Sequence, residues 1–197
     1  MLYKKRKNFK KTSDVIGRVF SFMPANHWTL ASLVLSLVTA YKIISGEFFD
    51  AAVLLALTAF FDMIDGSVAR HRKEASDRGA YYDTITDRYT EGIITISLLF
   101  VYLPPFYVAS YIWIAAYLFG SMMTTYAKAA AKEKLDREVI GGFLERPERM
   151  ILLVIGIAFA GSATIYMTYI LVFLAVMTNL TAMQRIYIAL SEKRKLL

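Results

Sequence analysis

Long apolar stretches dominate this chain and restrict what it can fold into. A helix that crosses a lipid bilayer needs about 20 mostly apolar residues. Five stretches approach or exceed that length: Trp28–Ser45, Phe48 to about Asp65, Ala80–Leu103, Tyr107 to about Lys128, and Met150–Met183. The last is too long for one crossing, and the small residues of Ala160–Thr164 offer a turn in its middle. The sequence therefore predicts an all-α, polytopic membrane protein with six transmembrane helices.

Composition agrees with a membrane protein and excludes several kinds of active site. Of the 197 residues, 57% are hydrophobic, which is more than a soluble domain of this length usually carries. The chain has no cysteine, which rules out a disulfide framework, a thiol nucleophile and a cysteine-based zinc site. Only two histidines, His27 and His71, are present, so a histidine-rich metal site is not expected.

The positive charge, a net +7, is distributed in a way that predicts topology. Lys and Arg cluster before Asn26, between Arg70 and Arg78, between Lys128 and Arg149, and from Arg185 onward, whereas the intervening turns carry none. Under the positive-inside rule, this alternation places both termini and two loops in the cytoplasm. We therefore expect a multi-pass protein of the cell membrane whose basic residues meet anionic lipid headgroups, and no nucleic-acid partner.

The chain divides into a short N-terminal segment, one membrane domain and a tail. Residues 1–25 form a basic cytoplasmic segment, residues 26–190 the six-helix domain, and residues 191–197 a basic cytoplasmic tail. Within the first segment, apolar residues recur at helical spacing on one side: Val15, Ile16, Val19, Phe20 and Met23. This pattern predicts a short juxtamembrane amphipathic helix lying at the membrane interface.

Four aspartates stand at the cytoplasmic ends of the second and third predicted helices. Asp62 and Asp65 share one helix face, Asp83 and Asp87 share another with Glu91, and a short loop joins the two helices. Carboxylates facing one another in a low dielectric would repel strongly unless a positive charge lay between them. Oxygen ligands suit hard divalent cations, and magnesium keeps positions open for phosphate oxygens.

Small residues beside these acids point to a bulky ligand. Gly66, Ala69 and Gly79 remove side chains where a ligand would approach, and Arg70 offers a bidentate donor for phosphate. Metal, phosphate and a flat cavity together indicate a nucleotide diphosphate. The alternative is a set of structural ion pairs between the acids and three arginines: Arg70, Arg78 and Arg88.

The segment "DMIDGSVARHRKEASDRGAYYDTITD" resembles the signature of the CDP-alcohol phosphatidyltransferase family, D-x-x-D-G-x-x-A-R followed after eight residues by G-x-x-x-D-x-x-x-D. All eight fixed positions are filled, by Asp62, Asp65, Gly66, Ala69, Arg70, Gly79, Asp83 and Asp87. "PANHWT", which contains Asn26 and Thr29, is similar to the family's T-P-N-x-x-T entry to the first helix, with Met23 in place of the usual Thr.

The resemblance implies a reaction and a set of roles. A hydroxyl of a small polar alcohol attacks the phosphorus of a CDP-linked lipid, and CMP leaves. Asp62, Asp65 and Asp83 would hold two ions of Mg²⁺ or Mn²⁺, and Asp87 would complete the metal site and act as general base. The CDP-lipid would contact six residues: Asn26, Thr29, Gly66, Ala69, Arg70 and Gly79. Family members also suggest a homodimer.

Three further segments resemble the branch of the family that uses inositol phosphate as acceptor. They are Tyr126–Lys128–Ala129, Glu145–Arg146–Glu148–Arg149 and Gln184–Arg185. The resemblance implies that Lys128, Arg146, Arg149 and Arg185 bind the acceptor's phosphate, with CDP-diacylglycerol or CDP-archaeol as donor. Glycerol 3-phosphate is an alternative acceptor, since it also carries a phosphate. A divalent-cation transporter would explain the carboxylates but not the glycines and arginine at family spacing.

Overall fold

The computed structural model describes residues 13–191 and is all-helical, as predicted. A short helix, α1, covers residues 13–19. Six long helices follow: α2 (Ala25–Ile44), α3 (Phe48–His71), α4 (Asp77–Ser97), α5 (Ser110–Leu135), α6 (Arg146–Ala160) and α7 (Ile165–Ser191). A 3₁₀ turn, Leu98–Phe100, extends α4. The basic residues before position 13 and the tail after position 191 lie outside the described part of the chain.

The long helices pack into one bundle in which α3 has a central place. It lies against α2 on one side and α6 on the other, α4 packs on α2, and α5 pairs with α7. The core contains fully buried aliphatic residues from most of these helices, including Ile43, Leu55, Ile94, Ile114, Leu153 and Leu171. This arrangement brings the start of α2, the end of α3, the start of α4 and the start of α6 together at one end of the bundle, and the signature residues of α3 and α4 lie there.

The number of long helices agrees with the sequence prediction, and the longest apolar stretch is divided where its small residues lie. Helix α6 ends at Ala160 and α7 begins at Ile165. Within the described residues, α2, α3 and α7 are each long and apolar enough to span a membrane. Helix α6 has only 15 residues. Six crossings therefore remain a prediction, although residues 13–191 contain six long helices.

Helix α1 is shorter than the sequence pattern predicted, and its apolar side is divided between two environments. Ile16, Phe20 and Met23 pack against a small cluster formed by Trp28, Ile64 and Val68. Val15 and Val19, by contrast, are exposed. We expected the whole apolar face of this segment to lie on the membrane. Part of that face packs on the helix bundle instead.

Candidate active site

A cleft of about 290 Å³ opens at one end of the bundle, between the start of α2, the end of α3 and the start of α4. Helix α4 begins beside it, because the Ser76 hydroxyl accepts a hydrogen bond of 3.2 Å from the Gly79 amide and caps the helix. The cleft is lined by Pro24, Ala25, Asn26, Thr29, Asp65, Gly66, Ala69, Arg70, Glu74, Ala75, Ser76, Gly79, Ala80 and Asp83. All six residues predicted to contact a CDP-lipid are in this set.

The small residues of the signature keep the cleft open. A Cβ atom on Gly66 would lie 3.3 Å from an Arg70 guanidinium nitrogen. One on Gly79 would lie 3.3 Å from the Ser76 hydroxyl and 3.9 Å from the Asn26 side-chain oxygen. A side chain at either glycine would therefore occupy space between the polar groups that line the cleft.

Two polar side chains of the cleft are held by hydrogen bonds from outside the signature. Thr29 Oγ1 donates to Asp65 Oδ2 at 2.7 Å, and Asp65 is buried. Arg70 Nη2 donates to Ser13 Oγ at 2.8 Å, and Ser13 shares a hydrogen bond of 3.0 Å with Ser67. Helix α1 thus contributes to the cleft through Ser13, a residue that the sequence interpretation did not single out.

Three carboxylates form a compact group next to the cleft, which we call the acidic triad: Asp62, Asp83 and Asp87. One oxygen from each lies within 4.8 Å of the others. Such a group of acids suits a hard divalent cation. Asp65 is directed to Thr29 and lies outside this group, although the sequence placed all four aspartates in one metal site.

Arg146 joins α6 to the acidic triad. Its Nη1 lies 2.6 Å from Asp62 Oδ2, and its Nη2 lies 2.8 Å from Asp87 Oδ1. The start of α6 explains this placement, since Glu145 and Glu148 form a capping box and leave Arg146 at the first helical position. The sequence offered Arg70, Arg78 and Arg88 as alternative ion-pair partners for the aspartates. In the described residues, Arg146 makes the ion pairs with Asp62 and Asp87 instead.

Arg149 is buried, whereas the sequence resemblance implied that it binds the acceptor's phosphate. It is 2% exposed and donates to both oxygens of Glu91, from Nε at 2.8 Å and from Nη2 at 3.0 Å. Tyr117 donates to the same carboxylate at 2.7 Å. Glu91 is four residues from Asp87, and Arg149 is three residues from Arg146. The sequence placed Glu91 on the helix face of Asp83 and Asp87 but did not predict its pairing with Arg149.

Arg185 and Lys128 lie at the ends of α7 and α5 near the start of α6. Arg185 donates to the carbonyl oxygens of Gly141 at 3.0 Å and Thr124 at 2.8 Å, and Glu145 Oε1 lies 4.0 Å from its Nη2. Lys128 is one turn beyond Thr124 on α5 and is exposed. These contacts bring the ends of α5, α6 and α7 together.

Known proteins share this sequence pattern. The profile of CDP-alcohol phosphatidyltransferases matches residues 22–185. Archaetidylinositol phosphate synthase of Methanothermobacter thermautotrophicus is 32% identical over 137 residues, 68% of this chain and 66% of that protein. Phosphatidylinositol phosphate synthase of Corynebacterium glutamicum is 36% identical over 148 residues, 72% of this chain and 65% of that protein. The chain thus spans about two thirds of the length of these two relatives.

Solved structures share the fold. Phosphatidylinositol phosphate synthase of Mycobacterium tuberculosis with CDP-DAG bound superposes with a TM-score of 0.76 over 96% of each chain, at 24% identity. The same protein in complex with manganese and citrate gives a TM-score of 0.77, at 25% identity, over 96% of this chain and 92% of that one.

The apolar helices and these matches agree that this is a membrane protein. These matches confirm the family resemblance that the Asp62–Asp87 signature indicated, and they extend it over nearly the whole described chain. With a profile match from residue 22 to residue 185 and relatives more than 30% identical over two thirds of its length, the protein belongs to the CDP-alcohol phosphatidyltransferase family.

Proposed function

We propose that this protein transfers the phosphatidyl-type group of a CDP-linked lipid, CDP-diacylglycerol or CDP-archaeol, to a hydroxyl of inositol phosphate and releases CMP. The observation that carries the proposal is the cleft, because the six residues expected to contact the CDP-lipid line one space beside the acidic triad. A cation pathway would have no need of Gly66 and Gly79 in its walls, so the transporter alternative is not favoured.

The cleft residues suit a nucleotide diphosphate. Arg70 is fixed by Ser13 and can present its remaining N–H donors to a phosphate oxygen. The absence of side chains at Gly66 and Gly79 allows the ligand to approach the backbone of α3 and α4. The lipid's chains can remain in the bilayer, because the cleft lies at one end of the helices rather than in the middle.

Asp62, Asp65, Asp83 and Asp87 are the residues that would hold Mg²⁺ or Mn²⁺, and three of them already have oxygens within 4.8 Å of one another. A bound divalent cation would neutralise charge on the pyrophosphate and on the departing CMP. Asp87 accepts the proton of the attacking hydroxyl. The new bond joins that oxygen to the phosphorus that carries the lipid, and the bond from this phosphorus to the CMP oxygen breaks.

The acceptor phosphate is assigned to Lys128, Arg146 and Arg185, at the joined ends of α5, α6 and α7. A phosphomonoester carries nearly two negative charges and needs several donors, preferably arginine. Arg146 already lies on Asp62 and Asp87, so a phosphate bound there would place the acceptor hydroxyl close to the acidic triad. We leave Arg149 out of this pocket, since its side chain is only 2% exposed and it binds both oxygens of Glu91.

We further propose six membrane crossings, cytoplasmic termini, a cytoplasmic active site and a homodimer. The distribution of Lys and Arg supports the orientation, and family resemblance supports the dimer. Chemical crosslinking in membranes tests the dimer: a stable dimer gives a crosslinked pair whose yield does not fall when the protein is diluted in lipid, whereas the yield from colliding monomers falls.

The reaction is tested by release of labelled CMP from the purified full chain in detergent with Mg²⁺. Both CDP-diacylglycerol and CDP-archaeol are supplied, each with inositol phosphate, free inositol, glycerol 3-phosphate or serine. We expect inositol phosphate to be used best and free inositol poorly, because free inositol has no phosphate to bind the cations of the pocket. Better use of glycerol 3-phosphate would change the acceptor but retain the reaction class. No release of CMP with any acceptor would refute the reaction.

A further inference from the structure

Glu91 accepts contacts from three side chains at a fully buried position on α4. Arg149 binds both of its oxygens, Tyr117 donates to Oε1, and Arg88 Nη1 lies 2.9 Å from Oε2. Two guanidinium groups therefore share one carboxylate. This group lies one helical turn from the ion pair between Asp87 and Arg146, so α4 and α6 are joined by two successive ionic contacts.

Along their helices, the two arginines on Glu91 are close to Asp87 and to Arg146, its ion-pair partner. Arg88 follows Asp87 directly in the chain, and Arg149 is one turn from Arg146, which already contacts Asp87. Arg88 Nε and Nη1 are buried without a hydrogen-bond partner among the described residues, so Arg88 contacts Glu91 as an ion pair only. A buried cation that loses its partner is costly, and this cost favours pairing with another carboxylate within its reach.

We propose that Glu91 is a positioning residue that holds Arg88 and Arg149 away from the acidic triad. Arg146 is then the only arginine that forms an ion pair with the triad in the described part of the chain, and the carboxylates keep an excess of negative charge. Without Glu91, two more guanidinium groups compete with a divalent cation for the same oxygens. The inference rests on the metal site of the proposed function and adds a residue outside the family signature.

The two members of the buried ion pair give a matched test. Glu91→Gln and Arg149→Met both break the bidentate contact, and both should lower the melting temperature. Only Glu91→Gln leaves arginines without an acid, since Arg149→Met leaves Glu91 paired with Arg88. Binding of Mn²⁺ to the purified full chain is measured by electron paramagnetic resonance, which requires no activity.

We expect Glu91→Gln to raise the Kd for Mn²⁺ by about 10-fold, the size of one charge-assisted contact. Arg149→Met should keep a Kd close to the wild-type value, and the double variant Glu91→Gln/Arg149→Met should recover part of the lost affinity. Tyr117→Phe, which removes a hydrogen bond to Glu91 but no charge, should also leave the Kd close to wild type.

A purely structural ion pair would give a different pattern. Equal weakening by Glu91→Gln and Arg149→Met, or no change in Glu91→Gln, would overturn the inference while leaving the metal site intact. If Glu91→Gln does not yield folded protein, Glu91→Asp replaces it; its shorter side chain cannot hold both arginines, and a wild-type Kd there would also overturn the inference. Wild-type protein that binds no Mn²⁺ would refute the metal site itself.

Discussion

Two roles are proposed for Asp87, general base and metal ligand, and kinetics can distinguish them. It is partly buried in the acidic triad and contacts Arg146. If Asp87 accepts the acceptor's proton, Asp87→Asn should lower kcat by about 100-fold or more, with little change in KM for the CDP-lipid. Kinetics at saturating Mg²⁺ measure both constants.

Asp77→Asn is the matched control for Asp87→Asn. Asp77 is also on α4, in its first turn, but does not line the cleft. Its replacement should leave both constants near wild type. If Asp87→Asn instead weakens CDP-lipid binding and keeps turnover, Asp87 is a ligand and another group is the base.

Arg70 and Arg185 should affect different substrates. Arg70 lines the cleft, whereas Arg185 is bonded to carbonyls near the start of α6. Arg70→Ala should raise the KM for the CDP-lipid by about 10-fold, the loss expected for one charge-assisted contact, and leave that for inositol phosphate nearly unchanged. Arg185→Ala should raise the KM for inositol phosphate and leave the KM for the CDP-lipid nearly unchanged. Both KM values are measured by steady-state kinetics in which each substrate is varied in turn. If both variants changed the same KM, the assignment would be wrong.

Helix α1 should act on the cleft through its packing on α3. A Cβ atom on Gly17 would lie 2.5 Å from the Ser67 carbonyl oxygen and 2.8 Å from the Cβ of His71. Gly17→Val should therefore push α1 away from α3 and remove Ser13 from Arg70. We expect a higher KM for the CDP-lipid with an unchanged KM for inositol phosphate, because only the Arg70 side of the site is disturbed.

Val19→Ala is the control for Gly17→Val. Val19 is on the same helix but is 61% exposed and does not belong to the cluster around Trp28. Ser13→Ala removes the hydroxyl without moving the helix and should reproduce part of the effect of Gly17→Val. A CDP-lipid KM that is normal in both Ser13→Ala and Gly17→Val would mean that α1 has no role in the cleft.

Contacts within and between neighbouring helices could be predicted from sequence, whereas distant ones could not. The spacing of Asp62, Asp65, Asp83 and Asp87 places them on two adjoining helices, and the structure brings three of them together. Arg146, by contrast, is 84 residues from Asp62. Its partner depends on how α6 packs against α3, and no local pattern specifies that.

The rotation of α6 decides which of its two arginines meets the site. Arg146 and Arg149 occur in one short segment, so sequence similarity assigned both to the acceptor phosphate. In the structure, Arg146 faces the acidic triad and Arg149 faces the buried Glu91. In α1, likewise, spacing identified apolar residues but could not say that Ile16 packs on the bundle while Val15 stays exposed.

The predicted orientation of the protein depends on turns at opposite ends of long helices. Helix α3 has 24 residues and is about 36 Å long, enough to separate Ser45 from Arg72 by the thickness of a bilayer. Helix α7 separates Ser162 from Ser191 in the same way. Lys42 is the one basic residue near the Ser45 turn, and it is paired with Glu47 and Asp50. One lysine at this turn is outnumbered by the basic clusters at the opposite helix ends, so the positive-inside bias keeps its direction.

Because the chain contains no cysteine, single cysteines can report which side of the membrane each turn occupies. Ser45→Cys, Arg72→Cys, Ser162→Cys and Ser191→Cys all replace exposed residues, and the unmodified protein is the blank. A membrane-impermeant maleimide should label positions 72 and 191 in inside-out vesicles, and positions 45 and 162 in right-side-out vesicles. Release of CMP by each variant shows that it is folded. Labelling of positions 45 and 72 from the same side would contradict a crossing by α3, and labelling of 162 and 191 from the same side would contradict one by α7.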